Sequence, residues 1–105
     1  MHRGEVYRFR VPKGVGHEQH GPRYGVIVQA EELLPRSVVL VAPTSLSARA
    51  ASFRPEVMIA GDHARVLAEQ VFAVDAQRLA KRIGHLTADE MWCVDEALAT
   101  VLDIT

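Results

Sequence analysis

The chain has 105 residues, the size of one domain with its own core, and its 49% apolar and 24% charged residues exclude a disordered chain. A single cysteine, Cys93, argues against a disulfide-stapled secreted protein and for a reducing compartment. The net charge of −1 excludes a uniformly basic nucleic-acid binder, yet residues 1–65 hold nine Lys/Arg against six Asp/Glu and residues 66–105 three against seven, so the N-terminal part alone is suited to a polyanion.

The N-terminal stretch "MHRGEVYRFR" has no apolar run of signal-peptide length, and no later run approaches a membrane span, so a cytoplasmic protein without membrane contact is expected. Glu5–Val11 alternates, with Tyr7, Phe9 and Val11 on one face and Val6, Arg8 and Arg10 on the other, which predicts a half-buried strand. Pro12–Pro22 supplies three Gly, two Pro and two His and predicts a long connection of the functional kind. "RYGVIVQA" reads as a second strand and Ser37–Pro43, rich in β-branched residues, as a third that ends at Ala42-Pro43-Thr44-Ser45. A polar loop, "TSLSARAASFRP", leads to a fourth strand over Glu56–Ala60 and the turn "GDH".

"RVLAEQV" predicts a fifth strand, and "AVDAQRLAKRIGHL" a short helical turn around Ala76–Ala80 followed by a strand over Arg82–Leu86. Thr87-Ala88-Asp89-Glu90 has the Thr-x-x-Glu spacing of a capping box. Met91, Val94, Leu98, Val101 and Leu102 follow at helical spacing, and Cys93 within this pattern reads as a small packed side chain. Five or six short strands and one terminal helix predict a single domain over 1–105: a small, curved, mainly β barrel closed by a helix.

Two candidate sites stand out. His17-Glu18-Gln19-His20 has the residue types of a metal ligand set but lacks the spacing and the helix of a known zinc motif, so no metal is assigned. Arg23 stands at the mouth of the second strand, and Thr44 and Ser45 stand at the end of the third. A planar guanidinium beside two hydroxyls suits a phosphate, because the fork grips two oxygens and the hydroxyls serve the rest.

The ordered set "RGEVY", "GHEQHGPRYGVIVQ", "VAPTS", "VLAEQV" and "QRLAKRIGHLTADEM" resembles the MazF/PemK/Kid toxins from Arg3 to about Leu102. That resemblance implies an SH3-like barrel, usually a homodimer, and an endoribonuclease of a type II toxin–antitoxin system. It implies metal-independent, sequence-specific cleavage of single-stranded RNA without a cofactor, to 2′,3′-cyclic phosphate and 5′-OH ends. Arg23 and Thr44 match the family's catalytic pair, Ser45 is adjacent, and Glu18 matches an acidic loop position. Gln19, Tyr24, Arg49, Phe53, Arg54 and Gln70 make up the expected RNA-binding set, and the expected partner is an antitoxin with an acidic, apolar C-terminal tail. Two positions depart from the family pattern: Tyr24 replaces a proline after the Arg, and Phe72 replaces a basic residue after "EQV". The alternative is a non-catalytic or gyrase-directed toxin of the same fold that binds an antitoxin.

Overall fold

The computed structural model describes residues 1–9 and 23–104. Among the described residues, seven strands, β1 (Glu5–Phe9), β2 (Tyr24–Ile27), β3 (Val38–Ser45), β4 (Glu56–Ile59), β5 (Asp62–Val66), β6 (Phe72–Asp75) and β7 (Leu79–His85), precede one α-helix, α1 (Ala88–Leu102). All pairings are antiparallel, in the order β4-β5-β3-β2-β1-β7, with β6 also on β3. The result is the expected small, mainly β half-barrel with a terminal helix.

Strand β3 is the hinge of this sheet. Its first half pairs with β6, its middle with β2, and its last two residues, Thr44 and Ser45, with Val66 and Arg65 of β5. The strand therefore does not end at Pro43 as the sequence suggests. Pro43 sits opposite Gly25, where the partner changes, and its carbonyl accepts from the amide of Leu67 at 2.8 Å. A residue without an N–H is tolerated at such a change of partner, since one ladder bond there is dispensable.

The second half of the chain differs further from expectation. The fifth strand is Asp62–Val66, and the following Ala68–Gln70 is a 3-10 turn rather than strand. Phe72–Asp75 forms an unpredicted strand, the helical turn is confined to Ala76–Arg78, and the last strand begins at Leu79. Short apolar runs carry no period that separates a strand from a turn, so tertiary pairing decides them.

Valines fill both faces of the sheet. The inner face of the curve holds Val6, Val26, Ala42, Val57, Ile59 and Val66, covered by Leu86 and by Val94 of α1. The outer face holds Ile27, Val39, Val41, Val74 and Leu79, with Tyr7 and Phe9 packed on it. Strand β1 thus contributes to two cores rather than to one.

The helix starts as predicted. Thr87 Oγ1 accepts from the Glu90 amide and Glu90 Oε1 accepts from the Thr87 amide, while Glu90 Oε2 accepts from Met58 on β4. One carboxylate therefore caps the helix and ties it to the edge of the sheet. Val94 and Ala97 are buried, and Met91 and Leu98 pack against the inner core. Leu102 and Cys93, expected inside, are exposed, because α1 touches the sheet along a stripe narrower than its apolar residues.

The opening "RGE" closes the barrel. Arg3 donates to the Val28 carbonyl and to Asp95 of α1, and Gly4 takes φ +93°, where a Cβ would meet the His85 ring at 3.0 Å. Glu5 is 5% exposed and accepts from the His2 amide (2.7 Å), Tyr7 Oη (3.0 Å) and Arg82 (3.1 Å). Burial pushes its carboxyl toward the neutral form, but these three donors together outweigh burial and hold its pKa below the usual value.

Candidate active site

The site is built at the N-terminal end of β2. The Arg23 carbonyl accepts from the Phe9 amide at 2.9 Å, and the next carbonyl, that of Tyr24, accepts from Thr44 Oγ1 at 3.1 Å. Two successive peptide groups are thus held from both sides, one by β1 and one by β3. Arg23 and Thr44, far apart in sequence, come within one residue of each other along the backbone of β2. Gly25 follows because Phe9 lies over it, with a Cβ at that position only 2.3 Å from the ring. Phe9 in turn meets Phe72 in a tilted ring pair, with centres 5.6 Å apart and planes at 44°, although Phe72 stays exposed.

Arg23 is half-buried, whereas Thr44 is 6% exposed. Ser45, 7% exposed, is committed differently: its Oγ accepts from the amides of Ser47 and Ala48 at 3.2 and 3.0 Å and shapes the turn after β3. Ser45→Ala removes that acceptor from two amides. It is expected to cost about 1 kcal/mol and to lower the Tm by about 5 °C. A Tm equal to that of the parent in a thermal melt removes this turn-shaping role.

Among the other expected contact residues, Tyr24 is half-buried against the inner core, and Arg49 and Gln70 are exposed. Arg54 is held in place. Its guanidinium donates to Glu69 Oε2 through Nε (2.8 Å) and Nη2 (2.6 Å), reaches the Arg49 carbonyl at 3.3 Å, and lies 5.6 Å from the centre of the Phe53 ring. It is a strut for the loop between β3 and β4, with Phe53 half-buried beside it. Sequence reading singled out Arg54 but not Glu69, whose other oxygen, Oε1, is buried with no partner among the described residues. No periodicity marks Glu69, because the 3-10 turn that aims it at Arg54 reads as strand.

Glu18 and Gln19, with His17 and His20, lie outside the described residues. Among the described residues, no three His, Cys, Asp or Glu side chains come together as a metal site, and no helix is long and apolar enough to cross a membrane.

The chain matches the sequence profile described as PemK-like, MazF-like toxin of type II toxin–antitoxin system over residues 2–102. It is 38% identical to the Mycobacterium tuberculosis protein Rv3098A, covering 97% of both chains. It is 29% identical to the endoribonuclease MazF9 of the same organism, covering 99% of this chain and 98% of the other. In fold it is similar to an endoribonuclease from a mycobacterial species in complex with its cognate antitoxin, with a TM-score of 0.81 at 20% identity over 100% and 97% of the two chains. MazF from Deinococcus radiodurans superposes with a TM-score of 0.80 at 20% identity over 99% and 97%.

Proposed function

Because the chain belongs to the PemK-like, MazF-like toxins of type II toxin–antitoxin systems, we propose that it is a cytoplasmic endoribonuclease that cuts single-stranded RNA at a specific sequence. The observation that supports this best is the pair of bonds at 2.9 and 3.1 Å on the carbonyls of Arg23 and Tyr24, which hold Arg23 and Thr44 at one strand end. In the proposed reaction the ribose 2′-oxygen adjacent to the scissile bond attacks phosphorus. The P–O5′ bond breaks, and the products are a 2′,3′-cyclic phosphate and a 5′-OH. The proton lost by the 2′-OH leaves to a base, and one is delivered to O5′.

A guanidinium keeps its proton throughout the neutral range, so Arg23 serves by binding charge that grows on the phosphoryl oxygens, not as the base. Thr44 Oγ1 spends its hydrogen on the Tyr24 carbonyl and offers lone pairs outward, so donating to phosphate requires it to turn. Glu18 is the proposed proton acceptor, and Ser45 stands beside Thr44 as a second hydroxyl. A homodimer, and an antitoxin whose acidic, apolar tail covers the basic rim, complete the reading.

The nucleophile comes from the RNA itself and the charge is met by side chains, so the reaction calls for no metal. Purified protein incubated with a long mixed-sequence RNA in excess EDTA is expected to cut at full rate, at discrete sites, leaving ends that 3′-phosphatase treatment does not release until the cyclic phosphate is opened. Activity that disappears in EDTA and returns with one divalent ion defeats the metal-free chemistry. A folded protein that cuts no RNA defeats the enzymatic reading and favours a toxin that acts by binding alone.

A further inference from the structure

We propose that Arg8 and Lys81 carry the site across the barrel rim as a track for the RNA backbone, holding phosphates on one side of the scissile bond. The inference rests on the RNA-cleaving reading above and adds to it a binding surface outside the residues that the family pattern supplies.

Residues directly opposite each other in an antiparallel pair share a face. Val6 lies opposite Val26, and Val26 opposite Ala42, all in the inner core. Two residues further along β1, Arg8 lies opposite Tyr24. Two further along β3, Thr44 reaches the Tyr24 carbonyl. Thr44, Tyr24 and Arg8 therefore form one row on three neighbouring strands, on the inner face just beyond the point where the core ends.

The row continues onto β7. Tyr7 pairs with Arg82 and Phe9 with Leu79, so two residues, Ala80 and Lys81, oppose the single Arg8. Such a bulge turns its extra residue out of the ladder and re-aims the side chain. Arg82 belongs to the opposite face, where it serves Glu5. Three strand spacings separate Thr44 from β7, roughly 14 Å, a reach of a few nucleotides of extended RNA.

Charge points the same way. Residues 66–105 contain three Lys/Arg in all, and two of them, Lys81 and Arg82, are brought by β7 against β1 of the basic half. Both Arg8 and Lys81 are exposed, and neither makes an ion pair with an acid among the described residues. Neither belongs to a core cluster among the described residues. The half-buried Tyr24 ring lies between these cations and Thr44, where a base can stack while its flanking phosphates meet Thr44 on one side and Arg8 on the other.

The test uses full-length protein and a fluorescein-labelled, mixed-sequence 2′-O-methyl RNA of about 20 nucleotides, which binds without being cut. Combining Arg8→Ala with Lys81→Ala is expected to weaken binding about 10-fold at 0.1 M salt and to reduce the slope of log K against log salt by about 1.4, the share of two cations on a single strand. The single-turnover rate at saturating cleavable RNA is expected to stay unchanged, and Arg8→Lys to bind like the parent, because a point charge suffices for backbone contact. Arg36→Ala, an exposed cation outside the row, is the control and is expected to bind like the parent. Three results overturn the proposal: the double variant binds like the parent; Arg36→Ala weakens binding equally, which reduces the effect to net charge; or RNA binding persists while competition by polyglutamate is lost, which makes the strip a peptide site. A parent that cuts RNA beside an unaffected double variant removes the track alone, whereas a parent that neither binds nor cuts removes the RNA reading together with it.

Discussion

Arg23→Ala is expected to lower the single-turnover cleavage rate of a defined RNA by about 10²–10³-fold, the scale for losing one preorganised donor. Its Tm is expected to shift by less than about 5 °C. The reason for the split is that the proposed reaction depends on the side chain of this residue, whereas its carbonyl serves the fold. The carbonyl that accepts from Phe9 is present in any residue at position 23, and the residue is half-buried rather than part of the core. Arg23→Lys keeps the charge but loses the planar fork and is expected to recover only part of the rate. Affinity is expected to fall far less than rate, because in the proposed reaction other cations hold the RNA backbone and the Arg23 contact is strongest in the transition state. Cleavage, binding and melting followed on the same samples separate the outcomes. Normal cleavage by Arg23→Ala removes the proposed role, and a collapse of the Tm makes Arg23 structural.

The largest effect on stability is expected at Glu5. Glu5→Ala leaves the Tyr7 hydroxyl, the His2 amide and Arg82 without their acceptor in a site that is 5% exposed. A loss of about 3 kcal/mol, or about 15 °C in Tm, is the scale for breaking such a cluster. Glu5→Gln keeps the shape and is expected to lose less than half of that. The pH dependence carries a sign. The pKa of Glu5 is held below the ordinary glutamate value of 4.5 in the folded protein, so the unfolded chain binds this proton first as pH falls. The stabilisation is complete above that value and is lost on acidification through the folded pKa. Glu31, bonded to His2 and to the Arg3 amide, shifts in the same direction. Parent and Glu5→Gln are therefore expected to differ most in Tm near neutral pH and to converge as pH falls toward 3. A gap that stays constant between pH 7 and pH 3 defeats the electrostatic account, and a Glu5→Ala protein as stable as the parent defeats the structural one.

These two residues show why the "RGE" opening and the Gly-Pro-Arg-Tyr junction are informative in different ways. The first is needed to close the barrel: Arg3 clamps α1, Gly4 supplies a positive φ, and Glu5 gathers three donors. The second has the Arg23 and Tyr24 carbonyls held by β1 and β3, at the position where the proposed reaction places a guanidinium.

Local chemistry in the sequence was enough for the capping box at Thr87 and Glu90, for β3 and β4 within two residues, for β2 except that it stops three residues early at Ile27, for β1 as far as Phe9, with its expected end at Val11 outside the described residues, and for the placing of Arg23 and Thr44 at strand ends. Each depends on a short-range signal: a reciprocal cap, alternation or β-branched runs, or a turn beside a strand. Other features came only from the tertiary structure. Pro43 lies within β3 because the strand changes partner there, a property of two other strands. Glu69 meets Arg54 because a 3-10 turn replaces the expected strand. Ser45 holds the turn before the β3–β4 loop, and Cys93 stays outside because α1 rests on Val94 and Ala97. Arg8 and Lys81 become neighbours only through the register of β1 on β7, which is set by packing of Val6, Tyr7 and Phe9 on two separate cores. Pairing across long sequence separations is fixed by which apolar faces can be buried together, and no window of sequence contains both partners.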